Sequence, residues 1–219
     1  MIKHSRLLQA ALIGAAVLST PAFAEEAQGN WLVRGRAVHL NMANKSDPIA
    51  ALAVPSDAIT VNNKWIPEVD VSYFWTPNIA TELVLTVPQR NRVTVEKSAV
   101  GRADIGSFKY LPPTLMVQYH FIPNGVIRPY AGLGLNYTRI FSSNLNVPVA
   151  NIPLKLSRNS WGLAAGAGVD IQVDKSWFVN FDVKYAQIGA DVKLAATGEK
   201  LSKVKLNPWL LGVGVGYRF

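Results

Sequence analysis

The chain has 219 residues, 49% of them hydrophobic, no cysteine, and a formal charge of +8 at pH 7. The length fits one domain. The missing thiols exclude disulfides, thiolate metal centres and cysteine nucleophiles.

The first 24 residues read as a cleavable leader. Lys3, His4 and Arg6 give a basic start, and Leu7 to Leu18 is apolar except for Gln9 and Gly14. Ala22-Phe23-Ala24 then offers a small-x-small cleavage site before Glu25-Glu26. The apolar run is too short for a bilayer, which needs roughly 20 residues. The mature chain is therefore residues 25–219 of an exported protein, and cleavage at Ala24 removes the charges of Lys3 and Arg6 from the total. For an exported basic chain, anionic lipid head groups are the expected counter-charge and nucleic acid is not.

The rest of the chain is dominated by alternation at period two, the mark of strands with one apolar face. Trp31, Val33, Gly35 and Ala37 alternate with Arg34 and Arg36. Trp65, Pro67, Val69, Val71, Tyr73 and Trp75 alternate with Glu68, Asp70 and Ser72. Thr81, Leu83, Leu85 and Val87 alternate with Glu82 and Val84. Leu115, Val117, Tyr119 and Phe121 alternate with Gln118 and His120. Leu133, Leu135 and Tyr137 alternate with Gly132, Gly134 and Asn136. Trp161, Leu163, Ala165, Val169 and Ile171 alternate with Gly162, Gly166, Gly168 and Asp170. Trp177, Val179, Phe181, Val183 and Tyr185 alternate with Asn180, Asp182 and Lys184. Trp209, Leu211, Val213, Val215, Tyr217 and Phe219 alternate with Gly212, Gly214, Gly216 and Arg218.

These eight strands predict an all-β fold, an eight-stranded antiparallel transmembrane β-barrel of up-and-down topology. Aromatic placement separates it from a soluble sandwich. Trp31, Tyr73, Trp75, Tyr119, Phe121, Trp177, Tyr217 and Phe219 fall at one end of the apolar faces. Trp65, Tyr137, Trp161, Tyr185 and Trp209 fall at the other. Two girdles about eight to ten residues apart suit tilted strands crossing an outer membrane. Short turns near Pro77, Asn124 and Lys175 alternate with long extracellular loops near 42–63, 89–110, 139–159 and 190–203. A C-terminal Phe219 suits recognition by the barrel-assembly machinery.

Several segments resemble the OmpW family of Gram-negative outer-membrane proteins, including its AlkL-like branch. They are Leu111-Pro112-Pro113-Thr114-Leu115 with Gln118-Tyr119-His120-Phe121, and Arg128-Pro129-Tyr130-Ala131-Gly132-Leu133-Gly134 with Asn136-Tyr137. Ser160-Trp161-Gly162 with Gly168-Val169-Asp170, and Gly216-Tyr217-Arg218-Phe219, complete the set. The resemblance implies a narrow porin-like channel for passive uptake of small hydrophobic molecules. Entry would be through the extracellular loops and exit sideways into the bilayer.

An eight-stranded barrel has little interior room. The inward charges Arg34, Arg36, Glu68, Asp70, Glu82, Asp170, Asp182, Lys184 and Arg218 are expected to pair as a polar plug. The inward glycines either free lumen volume or let curved strands bend. Pro88, Pro112 and Pro113 donate nothing to the ladder; they either mark a candidate lateral gate or only trim strand ends beside a long loop. Ile49, Leu52, Val54, Val147, Val149, Ile152 and Leu154 are candidates for a hydrophobic mouth, or else extend the hairpins above the membrane. Arg90, Arg92, Lys97, Arg102 and Lys109 suit contact with lipopolysaccharide phosphates. The expected partners are outer-membrane lipid, lipopolysaccharide and a small hydrophobic substrate. No catalytic, metal or cofactor site is expected, and His39 and His120 lack the neighbours of a barrel hydrolase. The alternative is a structural or surface-interaction barrel with a closed lumen, touching lipopolysaccharide, host or phage.

Overall fold

In a computed structural model, the described residues are 29–50, 53–99, 101–147 and 152–219; the leader lies outside them. The strands are β1 (Trp31–Asn41), β2 (Lys45–Ser46), β3 (Ile59–Val61), β4 (Lys64–Phe74), β5 (Ile79–Thr86), β6 (Gln89–Val95), β7 (Ala103–Leu111) and β8 (Thr114–His120). They continue as β9 (Ile127–Val147), β10 (Ile152–Leu156), β11 (Asn159–Gln172), β12 (Trp177–Ala186), β13 (Gly189–Leu194), β14 (Lys200–Lys205) and β15 (Trp209–Arg218).

Eight of these, β1, β4, β5, β8, β9, β11, β12 and β15, pair antiparallel with their neighbours in chain order. β15 returns to β1, Leu32 opposite Arg218 through Asn41 opposite Trp209. The reciprocal bonds Trp31 N–H to Phe219 O (3.0 Å) and Phe219 N–H to Trp31 O (2.9 Å) finish the seam. Closure joins the last strand to the first, as a lipid environment requires.

The outer wall is apolar at the expected positions: Val69, Leu83, Leu115, Val117, Leu133, Leu163, Leu211 and Val215 are all exposed. Both girdles form as ring contacts, all but Tyr73–Trp75 across register pairs. Trp31 meets Tyr73 at 4.9 Å, Tyr73 meets Trp75 at 4.8 Å and Trp177 meets Tyr217 at 5.0 Å at one rim. Tyr137 meets Trp161 at 4.6 Å and Tyr185 meets Trp209 at 5.2 Å at the other.

The long connections expected as loops contain strands. Above the upper girdle, β3 pairs with β6, β6 with β7, β7 with the far half of β9, and β9 with β10. The run continues through β13 and β14 to β2. Asp57 joins the two ends: its N–H donates to Ser46 O (2.9 Å) and its Oδ1 accepts from Ser46 N–H (3.0 Å). The barrel thus has a second storey beyond the upper girdle.

The two storeys have opposite polarity. Along β1 the inward residues are Leu32, then Arg34 and Arg36, then Val38 and Leu40, all buried. The upper interior is an apolar cluster that includes Val54, Ile59, Val93, Phe108, Ile140, Leu145, Val192 and Val204. Its outer surface carries Arg90, Arg92, Lys109, Lys155 and Lys203, all exposed. Water outside the upper storey demands this reversal, as lipid demands the arrangement below it.

The inward glycines divide into two uses. At Gly134 a Cβ would lie 2.2 Å from Leu115 O, and at Gly214 it would lie 2.1 Å from Gly35 O. These backbones approach too closely for any side chain. At Gly212 and Gly216 the nearest atoms are Arg36 Cδ (3.3 Å) and Arg34 Cγ (3.1 Å), so these glycines leave room for the arginine stems. Gly134→Ala is expected to lower the urea midpoint of the folded barrel by an amount equivalent to about 1–3 kcal/mol. Gel mobility of the folded band would read it, and an unchanged midpoint would show that the strands give way cheaply.

Asp57 supplies a pH prediction. The hydrogen bond from Lys45 Nζ (2.7 Å), then that from Ser46 N–H, holds its carboxyl below the ordinary carboxylate range. A depressed folded pKa stabilises above the unfolded value and is lost as pH falls through the folded one. The β2–β3 junction should therefore keep this bond at neutral pH and release it only under strong acid. Amide exchange at Ser46 across an acid titration would show the step.

Candidate functional site

Three features of the interior are continuous: an ionic floor, the apolar interior above it, and an interruption in the wall beside them.

Cross-strand register builds the floor. Arg34 lies opposite Asp70, and Arg36 opposite Glu68, on β1 and β4. Arg34 grips Asp170 of β11 through Nε (3.0 Å) and Nη2 (2.7 Å), a bidentate pair. Its Nη1 also reaches Asp70 Oδ1 and Ser72 Oγ at 3.0 Å, and Glu82 Oε1 at 3.3 Å. Arg36 meets Asp70 Oδ2 (2.8 Å), Glu68 Oε1 (3.0 Å), Glu82 Oε1 (3.1 Å) and Asp182 Oδ1 (3.3 Å). Lys184 Nζ meets Asp182 Oδ1 (2.7 Å) and Glu68 Oε1 (2.9 Å). Tyr130 of β9 donates to Asp182 Oδ2 (3.0 Å), and Asn180 Nδ2 donates to Asp170 Oδ1 (2.9 Å).

The network joins β1, β4, β5, β9, β11 and β12 across the lumen, and every member is buried. Eight of the nine expected plug residues take part. Arg218 stands apart: its Nε donates to Gly29 O (2.8 Å) and its guanidinium lies 3.8 Å over the Phe74 ring. That is a lower cap, made with Leu32, Phe74, Ala80 and Phe178. Sequence reasoning did not single out Ser72, Tyr130 or Asn180 as floor members, nor Arg128, whose Nη2 donates to Gln172 Oε1 (2.7 Å). Their position on inward faces was the available signal. His120 is buried against Phe74 (4.8 Å) and Tyr130 (5.1 Å).

Of the expected mouth residues, Ile49, Val54 and Leu154 are buried in the upper interior and Ile152 packs against it. They point inward beneath the surface of the storey. Leu52 and Val149 lie outside the described residues, and only the backbone of Val147 is described.

The wall is interrupted beside this interior. The β5–β8 ladder ends at Val84 opposite Thr114, and the β6–β7 ladder begins at Gln89 opposite Tyr110. Leu85–Pro88 and Leu111–Pro113 lie between them, unpaired with each other in either ladder. Side chains partly fill the interval. Gln89 Nε2 donates to Val87 O (2.7 Å) and Thr86 Oγ1 (3.1 Å). The Pro113 carbonyl accepts from Tyr137 N–H (3.0 Å), so that strand stays tied to β9. Pro88, Pro112 and Pro113 thus occupy one break.

Residues 27–219 match the model of the OmpW family. This chain belongs to the OmpW family. Outer membrane protein W of Vibrio cholerae serotype O1 is 36% identical over 211 residues, covering 94% of this chain and 95% of that one. The crystal structure of OprG from Pseudomonas aeruginosa superposes with a TM-score of 0.73 at 29% identity, covering 88% of this chain and 96% of that chain. The structure of outer membrane protein AlkL in lipid bilayers gives 0.65 at 25% identity, covering 91% and 95%. The protein is an outer-membrane β-barrel of a Gram-negative type, as the girdles required.

Proposed function

We propose that this OmpW-family barrel is a passive channel for small hydrophobic molecules, with entry through the extracellular storey and lateral exit into the bilayer. The observation that carries the reading is the stacking of an apolar interior on a closed ionic floor. An apolar solute gains by entering the upper storey, since burial is worth about 25 cal/mol per Å² of apolar surface. It has no comparable environment in the floor, where moving the paired charges apart costs several kcal/mol per ion. The interrupted ladder offers a way out at lower cost than an intact wall. Fewer backbone bonds need to break there, and the missing proline donors leave none to restore.

Pro88→Ala and Pro112→Ala return donors to the two strands and are expected to slow uptake of a labelled medium-chain alkane or fatty ester. Cells with and without the protein set the scale, and uptake should survive loss of the membrane potential. Unchanged uptake in both variants would count against the proline gate. No uptake by the wild-type protein across several probe classes would favour the surface-interaction reading. The exposed Arg90, Arg92 and Lys109 on β6 and β7, and Lys97 beyond them, speak for a lipopolysaccharide contact under either reading; Arg102 is already paired with Glu96 at 2.8 Å.

A further inference from the structure

A second break in the wall lies on the other side of the barrel. The β11–β12 ladder ends at Ala164 opposite Ala186, and the β10–β13 ladder starts at Leu156 opposite Val192. Between them the strands are joined largely by side chains. Ser160 Oγ accepts from Gly189 N–H and Ser157 Oγ accepts from Asp191 N–H, both at 3.1 Å. Gln187 N–H to Leu163 O (2.8 Å) and Ser157 N–H to Asp191 O (2.9 Å) are the backbone bonds. The parting leaves a cleft of about 510 Å³, lined by residues that include Asn159, Trp161, Gln187, Asp191, Lys203 and Lys205.

The position of this cleft and its chemistry agree. Trp161 belongs to the upper girdle and is 72% exposed, so the cleft opens where acyl chains give way to head groups. The ammonium groups of Lys203 and Lys205 are exposed and make no direct ion pair or hydrogen bond with any described residue; the charge of Lys205 acts on Asp57 at longer range. The Lys203 stem runs beside Gly189, its Cε 3.7 Å from where a Cβ would stand. The single carboxylate of the lining, Asp191, is already neutralised by Lys200 at 2.8 Å. Arg139 Nη1 donates to Asn159 Oδ1 (2.7 Å), adding a further cation at the cleft edge. The cleft therefore presents two ammonium groups without a direct counter-ion, together with amide donors, at the level of the girdle.

We infer that this cleft binds the phosphorylated head group of an outer-leaflet lipid, with Lys203 and Lys205 on the phosphate and Asn159 and Gln187 on neighbouring hydroxyl or carbonyl oxygens. A phosphate suits two exposed ammonium groups that have no direct ion pair, and the adjacent girdle fixes the acyl chains below it. The cleft is distinct from the proline break and makes no demand on the cargo.

The test uses the full-length mature protein in neutral-lipid nanodiscs. Binding of phosphorylated lipid A, of the same lipid with its phosphates removed, and of inorganic phosphate alone is measured by native mass spectrometry. Wild-type protein should retain the phosphorylated lipid. Lys203→Gln with Lys205→Gln should weaken it roughly tenfold, the size expected for two charge-assisted contacts at a partly exposed site. Lys203→Arg with Lys205→Arg should restore it. Equal retention of the dephosphorylated lipid, or no loss in the glutamine variant, would overturn the assignment. Inorganic phosphate binding as tightly as the lipid would also overturn it, leaving an ion site only.

Discussion

Arg34→Met is expected to destabilise the folded barrel by about 3–5 kcal/mol, because it strands buried carboxylates that no water can reach. Arg34 contacts Asp170, Asp70, Glu82 and Ser72, of which Asp70 and Glu82 are shared with Arg36, and its side chain is fully buried. Asp170 would keep only the amide of Asn180 among the partners described above. Lys184→Met should cost less, since Glu68 and Asp182 both retain Arg36. Urea titration in detergent micelles, read by gel mobility, would rank the two. Equal costs would mean that the floor relaxes as a whole instead of depending on one residue.

A disulfide across the proline break is expected to abolish uptake reversibly. The chain has no native cysteine, so an introduced pair has no competitor. Continuing the register past Val84 opposite Thr114 sets Leu85 against Pro113. Leu85→Cys with Pro113→Cys, oxidised, should reduce hydrophobic-probe uptake to the level of cells lacking the protein, and reductant should bring it back. The control pair is Leu83→Cys with Leu115→Cys, which lie opposite each other in the intact ladder. It should cross-link without effect. Equal inhibition by both pairs would show that rigidity anywhere in the wall stops uptake. Inhibition by neither would place the exit elsewhere.

The lower storey was legible from residue spacing. Period two put Arg34, Asp70, Asp170 and Asp182 on one face, and the girdle aromatics told which face met lipid. The partners within the floor were not legible. Arg34 and Asp170 are 136 residues apart, and only the closed ring brings them together. The upper storey was legible only as one of two alternatives, hairpins extended above the membrane, for a related reason. Alternation continues through β6, β7, β13 and β14, but its polarity is reversed. Val93, Val95, Val192 and Val204 face inward there, whereas Leu83 and Leu211 face outward below. Period two carries no sign for inside or outside, and above the girdle Phe108 and Tyr110 face inward and form no further girdle to supply one. Bulges near Val93 and Lys109 shift the register as well, breaking the pattern at the storey boundary. The glycines were ambiguous because a missing side chain looks the same whether a backbone or an arginine stem takes its place.

The floor also bears on the cell's permeability barrier. Three cations and five carboxylates are locked together across the bore, with Leu32, Phe74, Ala80 and Phe178 closing the space beneath them. Hydrated ions, sugars and antibiotics that slip through a water-filled pore meet paired charges across the bore here. A bacterium could carry many copies of such a barrel without raising its leak to small polar solutes. In single-molecule bilayer recordings this would appear as silence at neutral pH.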